Sequence, residues 1–307
     1  MTTMTRLEDW AYADNVRDLI AHELVQGHLT LVLGAGVSRA IGLPQWDQLL
    51  SGLETDAGVA RASKATPWQR ADAVRHALGT DARLKEATHA WLYRDVDLVK
   101  DSAKPLLLAL GAILTSASRT GPTTTITLNY DDVLEQYLEI HGNVVEVDHD
   151  ARQKVPGGNM VLWHPHGYLP QYDLTRASER IVLDTGSFAR IIAHEQWQQL
   201  LVSQLRRSFC LFVGLSGDDI HLEKHLATCA EQNSFLETLP RWGIWLTHAK
   251  DFDVRRKQLG AHGVHALPFS DYDKYPEFML GVCQRVAEIR GNRPPASSAS
   301  LQRRTRT

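Results

Sequence analysis

The run Leu29-Thr30-Leu31-Val32-Leu33 passes without a turn residue into Gly34-Ala35-Gly36. A strand exposed on one face alternates apolar with polar residues. A strand of this kind is covered on both faces, which is the situation inside a parallel sheet. Glycines directly after such a strand let the backbone approach a phosphate, and the helix that follows turns its N–H groups toward it. The stretch Leu29 to Trp46 therefore reads as a nucleotide-holding bend, although the third glycine of G-x-G-x-x-G is replaced by Arg39 and the segment soon meets Pro44. A dehydrogenase half-domain fits that departure poorly, and a plain tight turn remains an alternative.

Strand character returns in Thr123–Leu128, which is β-branched and bounded by Gly121-Pro122. Further strands are expected at 143–147, 160–164, 180–184, 208–216, 242–248 and 263–269, with helices between several of them. Residues from about 12 to 27 have helical spacing. A helix is expected after Pro44 with Trp46, Leu49, Leu50 and Leu53 on one face, and another from Asp131. Residues from about 56 to 118 carry no strong strand signal and read as a helical insertion ending in the apolar stretch 105–114. Alternating strands and helices predict an α/β fold: a Rossmann-like, mostly parallel sheet with helices on both faces, a helical insertion and no zinc ribbon.

The chain has 307 residues, enough to bury a sizeable core, with 43% hydrophobic and 22% charged residues. Its net charge is −3, yet Arg290 to Thr307 hold five Arg and no acid. The body is thus acidic and is not a built-in nucleic-acid surface, so direct nucleic-acid binding is not expected. The tail has almost nothing to bury and reads as a solvated, disordered segment. Three widely spaced cysteines, Cys210, Cys229 and Cys283, suggest neither a zinc ribbon nor a disulfide framework. Acids at Glu8, Asp9 and Asp14 argue against a signal peptide, and no run reaches membrane-spanning length; a cytoplasmic protein is expected.

Three further motifs carry candidate chemistry. In Thr127–Glu135, Asn129 falls at a strand's carboxyl end, where ligands of open α/β sheets bind, and Asp131 starts the expected helix, where it could serve as a cap. In Trp163–Pro170, His166 precedes Gly167 at another strand end and can act as a base near neutral pH; His164 and His166 could form half a metal site, without a matching cluster of acids or cysteines. In Val213–His225, Gly214 and Ser216 suggest a second polar loop. Asp218 stands where a nucleophile elbow needs Gly, and Leu222 stands where a metalloprotease helix needs Glu. His221 and His225 share a helical face of metal-capable spacing, but an exposed amphipathic helix is the preferred reading.

In their order these four segments resemble the sirtuin superfamily, and most closely its divergent bacterial branch of anti-phage-defence domains, many of which degrade NAD. The resemblance spans about residues 20 to 285 and implies a catalytic domain over 1–289. It implies that Gly34, Ala35, Gly36 and Ser38 form the pyrophosphate and adenosine-side loop. Gly42, Leu43, Pro44 and Trp46 resemble the segment that covers the nicotinamide ribose. Asn129 matches the residue that orients water and ribose, Asp131 beside Tyr130 matches the contact to the nicotinamide amide, and His166 matches the catalytic base. Gly214 and Ser216 match the loop at the adenosine ribose. The family's deacylases carry four zinc-binding cysteines, which this chain cannot supply; no metal is expected.

The nucleotide end of the pattern is kept and the peptide end is not. The resemblance thus implies that NAD is a substrate, cleaved to nicotinamide and ADP-ribose. It also implies a regulated defence effector, switched by self-assembly into a homo-oligomer or by a partner such as a HerA-like ATPase or a short Argonaute. An NAD-dependent deacylase or ADP-ribosyltransferase and a non-catalytic nucleotide-binding module remain alternatives.

Overall fold

Seven strands form one parallel sheet in the computed structural model of the chain, which describes residues 13–62, 64–96, 104–118, 123–151, 160–217, 219–232 and 242–291. They are β1 (Leu29–Leu33), β2 (Thr123–Thr127), β3 (Val145–Asp148), β4 (Met160–Trp163), β5 (Phe209–Val213), β6 (Gly243–His248) and β7 (Val264–Phe269), in the spatial order β3-β4-β2-β1-β5-β6-β7. Every pairing is parallel. The central strand β1 is aligned with both neighbours, Leu33 lying opposite Thr127 on one side and Val213 on the other.

Every residue of β1 is buried because the strand serves two cores. Leu29, Leu31 and Leu33 join one buried cluster while Val32 joins the second; Phe209, Leu211 and Val213 of β5 face the first, and Cys210 and Phe212 the second. Side chains alternate across a strand, so both faces of the sheet are covered. The first face carries α1 (Ala13–Gln26), α6 (Pro105–Ser118) and α12 (Lys274–Gly291), which bury Ile20, Leu110 and Phe278 among others. The second carries α9 (Glu195–Arg207), α10 (Ile220–Gln232) and α11 (Phe252–Gly260), which bury Leu201, Leu226 and Leu259.

Four further helices shape the region beyond the strand ends: α2 (Ala35–Ala40), α3 (Trp46–Asp56), α4 (Pro67–Leu78) and α5 (Asp81–Leu92). The side chain of Thr66 accepts from the Gln69 N–H at 3.3 Å, with Pro67 opening α4, and Thr80 caps α5 in the same way. A buried ion pair locks α4 to α3. Arg70 donates from Nε to Glu54 at 2.7 Å and from Nη2 at 2.8 Å, and both side chains are about 5% exposed.

The structure moves several expected boundaries. Helix α3 begins at Trp46, two residues after Pro44, and is set by Gln48, whose side chain accepts from the Gln45 N–H at 2.8 Å. The helix expected from Asp131 is α7 (Val133–Ile140), because Asp131 turns inward to another partner described below. Residues 180–184 form no strand: the segment lies beyond the sheet's carboxyl edge, where the Val182 N–H donates to the His166 carbonyl at 2.8 Å. It leads into α8 (Thr185–Ala193), capped by Asp184. The basic tail from residue 292 and Asp218 lie outside the described residues.

Candidate functional site

From β1 the chain steps to β2 on one side and later to β5 on the other, so the carboxyl ends of β1 and β5 flank a topological switch point, where open α/β sheets bind ligands. Two glycine bends meet there. The Gly34 N–H donates to the Val213 carbonyl at 3.0 Å, and the Gly36 N–H to the Gly214 carbonyl at 2.7 Å. A Cβ on Gly36 would stand 2.8 Å from the Gly214 Cα. Gly214, at φ +71°, would bring its own Cβ to 2.5 Å from the Val37 nitrogen. The glycines are therefore needed for these loops to interlock, a demand separate from any phosphate. Ser216 is exposed on the second loop.

The segment after β2 is bonded to the first loop. Asn129 Nδ2 donates to the Gly34 carbonyl at 3.1 Å, and Ser38 Oγ donates to Asp131 Oδ2 at 2.6 Å. Burial pushes Asp131 up to about 6, against the lowering effect of the Ser38 hydroxyl, with the Glu135 and Asp132 carboxylates adding to the rise. Its neighbour Tyr130 donates its hydroxyl to the Val182 carbonyl, and burial holds that phenol well above its usual range.

Sequence reasoning missed the pair that anchors this segment. His164, fully buried at the end of β4, meets the Asn129 carbonyl through Nδ1 at 3.0 Å and Glu135 Oε1 through Nε2 at 2.5 Å. Burial alone lowers His164, but the Glu135 carboxylate outweighs it and the imidazole is raised. The local pattern showed two histidines around a proline. Nothing local told which one would turn into the protein to meet an acid on the next helix.

His166 takes the other direction. The turn that carries it passes under the 180–182 segment at Gly167, φ +106°, where a Cβ would stand 2.9 Å from the Arg180 carbonyl. His166 is 7% exposed, and its Nε2 lies 3.1 Å from His221 Nδ1. Burial lowers His166 below its usual value against the pull of Asp219, so its imidazole is neutral at neutral pH. His221 and His225 are buried as well, which corrects the expectation of an exposed helix: α10 lays Leu222, Leu226 and Cys229 into the second core and carries both histidines in with them. Burial lowers His221 to about 2 and His225 to about 4. His221 Nε2 lies 2.9 Å from His225 Nε2 and 3.1 Å from Gln198 Nε2 of α9. His166, Asp219 and His221 bring ligand-capable atoms to within 4.8 Å of one another, a grouping that the expectation of no metal did not foresee.

The helical region forms the outer wall. Trp46 leads to Trp68 with ring centroids 6.2 Å apart, Trp68 to Phe188 at 4.9 Å, and Phe188 to His221 at 6.3 Å. Thr185 binds Asp72 of α4 through its N–H at 2.9 Å, and the Tyr93 hydroxyl lies 2.9 Å from Asp132 Oδ1 and 2.6 Å from the Leu169 carbonyl. Trp46 is thereby joined to the His166 side of the site through intermediate rings, while Gly34, Ser38, Asn129 and Asp131 are joined directly.

Residues 123–267 match the family model of the SIR2-like domain. That stretch is a SIR2-like domain. The matched stretch runs from β2 into β7 and contains Asn129, Asp131, His166, Gly214 and Ser216; the Gly34 bend lies before it. No curated protein matches the chain. A SIR2-like domain implies NAD binding and an NAD-using enzyme. The zinc module of the family's deacylases does not fit this one: its three cysteines lie on β5, α10 and α12, two buried and one half-buried. Among the described residues, no helix is long and apolar enough to cross a membrane.

Proposed function

We infer that the chain is an NAD glycohydrolase that cuts the nicotinamide–ribose bond with water, releasing nicotinamide, ADP-ribose and a proton. The observation that carries this reading is the bonded connection between the glycine bend and the segment after β2, made by Asn129 with Gly34 and by Ser38 with Asp131, beside a buried neutral His166 one strand away. Nicotinamide leaves NAD as a neutral molecule from a cationic ring, so the enzyme must stabilise an oxocarbenium-like ribose and deliver water to it.

Each residue has a part that its environment suits. The Gly34–Ser38 bend and the loop of Gly214 and Ser216 hold the pyrophosphate and adenosine side. Pro44 and Trp46 cover the nicotinamide end. Asp131, ionised above about pH 6, accepts from the carboxamide N–H groups. Asn129 orients water or a ribose hydroxyl, and His166 takes the proton as water adds, a step worth about 10²–10⁴ in rate. The lack of four zinc-binding cysteines supports hydrolysis over peptide deacylation.

The place of this activity in anti-phage defence is supported by the order of the motifs. Loss of NAD is toxic, so the reading includes control by homo-oligomer assembly or by a partner such as a HerA-like ATPase or a short Argonaute. The test is chromatography of NAD products for wild type and Asn129→Ala, with and without such partners and with an acyl-lysine peptide. ADP-ribose formed without peptide by wild type and not by the variant supports hydrolysis. Product that appears only with peptide, as O-acyl-ADP-ribose, makes the protein a deacylase, and NAD binding without turnover under every condition makes it a binding module.

A further inference from the structure

His166, Asp219 and His221 reach one point from separate places: the turn after β4, the residue before α10, and the first turn of α10. Their ligand-capable atoms all lie within 4.8 Å of one another, and both histidines are buried. The facing nitrogens, His166 Nε2 and His221 Nδ1, stand 3.1 Å apart. Two nitrogens on a tetrahedral ion, each about 2.0–2.1 Å from it, are separated by roughly 3.3 Å, so a slight parting of the rings admits the ion. Asp219 is held in place because its Oδ1 accepts from the Leu222 N–H at 2.9 Å, which orients the carboxylate.

One outer contact is of the kind that a metal site uses: a metal-bound imidazole donates its far N–H outward, and His225 Nε2, 2.9 Å from His221 Nε2, stands where it can accept that proton. Two imidazoles and one carboxylate favour zinc and its first-row neighbours over calcium or magnesium, which prefer all-oxygen sets.

We propose that His166, Asp219 and His221 bind one divalent cation of the zinc class, with at least one coordination position open to water or a substrate oxygen. The site is unrelated to a four-cysteine zinc module. Because the ion takes the Nε2 lone pair of His166, its binding stops NAD cleavage; this consequence rests on the proposed function, and the binding itself does not.

The test uses the full chain stripped with a chelator and titrated with zinc against a chromogenic competitor. One equivalent is expected to bind wild type. Asp219→Asn and His221→Ala are expected to weaken that binding by more than the roughly 10–100-fold that loss of an outer partner costs. Equal affinity in wild type and both variants, or no competition by wild type, overturns the site. Wild type loaded with cobalt(II) gives a readout independent of variant folding: intense visible bands of a four- or five-coordinate ion support the site, and the weak bands of a six-coordinate aqua ion overturn it. Zinc that binds through these residues and leaves NAD cleavage unchanged keeps the site and removes His166 as the base. Zinc inhibition that persists in Asp219→Asn and His221→Ala places the inhibiting ion elsewhere and overturns the proposed consequence.

Discussion

Ser38 and Asp131, separated by 93 positions in the chain, share a buried hydrogen bond of 2.6 Å. It runs from the helix after β1 to the segment after β2, and so fixes the glycine bend relative to the residues proposed to meet nicotinamide. A hydroxyl and a carboxylate at the switch point are hard to explain by packing, since burying the charge opposes folding.

That cost sets the first prediction. The Asp131 carboxyl moves from 3.8 to about 6 on folding. Between those values the folded protein keeps the proton that the unfolded chain has lost, so this residue's contribution falls as pH rises through the window and stays low above it. The shift corresponds to about 3 kcal/mol. Asp131→Asn, which can still accept from Ser38, is expected to be more stable than wild type at pH 8, with the gap shrinking toward pH 5. Thermal melts across that range check it, and a constant gap would remove burial of the charge as the cause. NAD cleavage by wild type is expected to rise as pH increases through about 6.

Asn129→Ala and His166→Ala are each expected to lower NAD turnover by about 10²-fold or more while circular dichroism stays unchanged. Asn129 loses one hydrogen bond to Gly34, worth about 1 kcal/mol, which the fold tolerates. Near-wild-type turnover in either variant takes that residue out of the mechanism.

His164→Ala is expected to behave differently from His166→Ala. It leaves the nearly buried Glu135 carboxylate without its imidazole, and removing one partner of such a pair costs about 3–5 kcal/mol. Urea denaturation should show a large fall in midpoint, along with lost turnover as the Asn129 segment loosens. A midpoint close to wild type would show that Glu135 finds another partner.

Glu54→Ala tests the outer wall. The Arg70 guanidinium would lose its bidentate partner and keep Asp47, which is exposed. A loss of about 3 kcal/mol is expected. Because α4 carries Trp68 against Phe188, KM for NAD should rise as well. Unchanged KM with lowered stability would separate α4 from the substrate.

Much of the framework was legible because it is local. Period and composition within five residues marked Leu29–Leu33, and four apolar residues in five required cover on both faces, which the two clusters on either side of β1 provide. Residues 180–184 misled for the same reason. Their apolar content matches a strand, but what they cover is the turn at Gly167. His221 and His225 misled in the opposite direction, since imidazoles at helical spacing read as solvated until the docking of α10 buries them.

By itself the sequence determined the alternation of strands and helices, the parallel sheet and the glycine bends, because backbone propensity and hydrophobic period act over a few neighbours. Only the tertiary structure decided which polar side chains meet: Ser38 with Asp131, His164 with Glu135, His166 with His221. Those partners are far apart in the chain, and their pairing and their proton affinities depend on burial and distance, which exist once the helices have docked on the sheet.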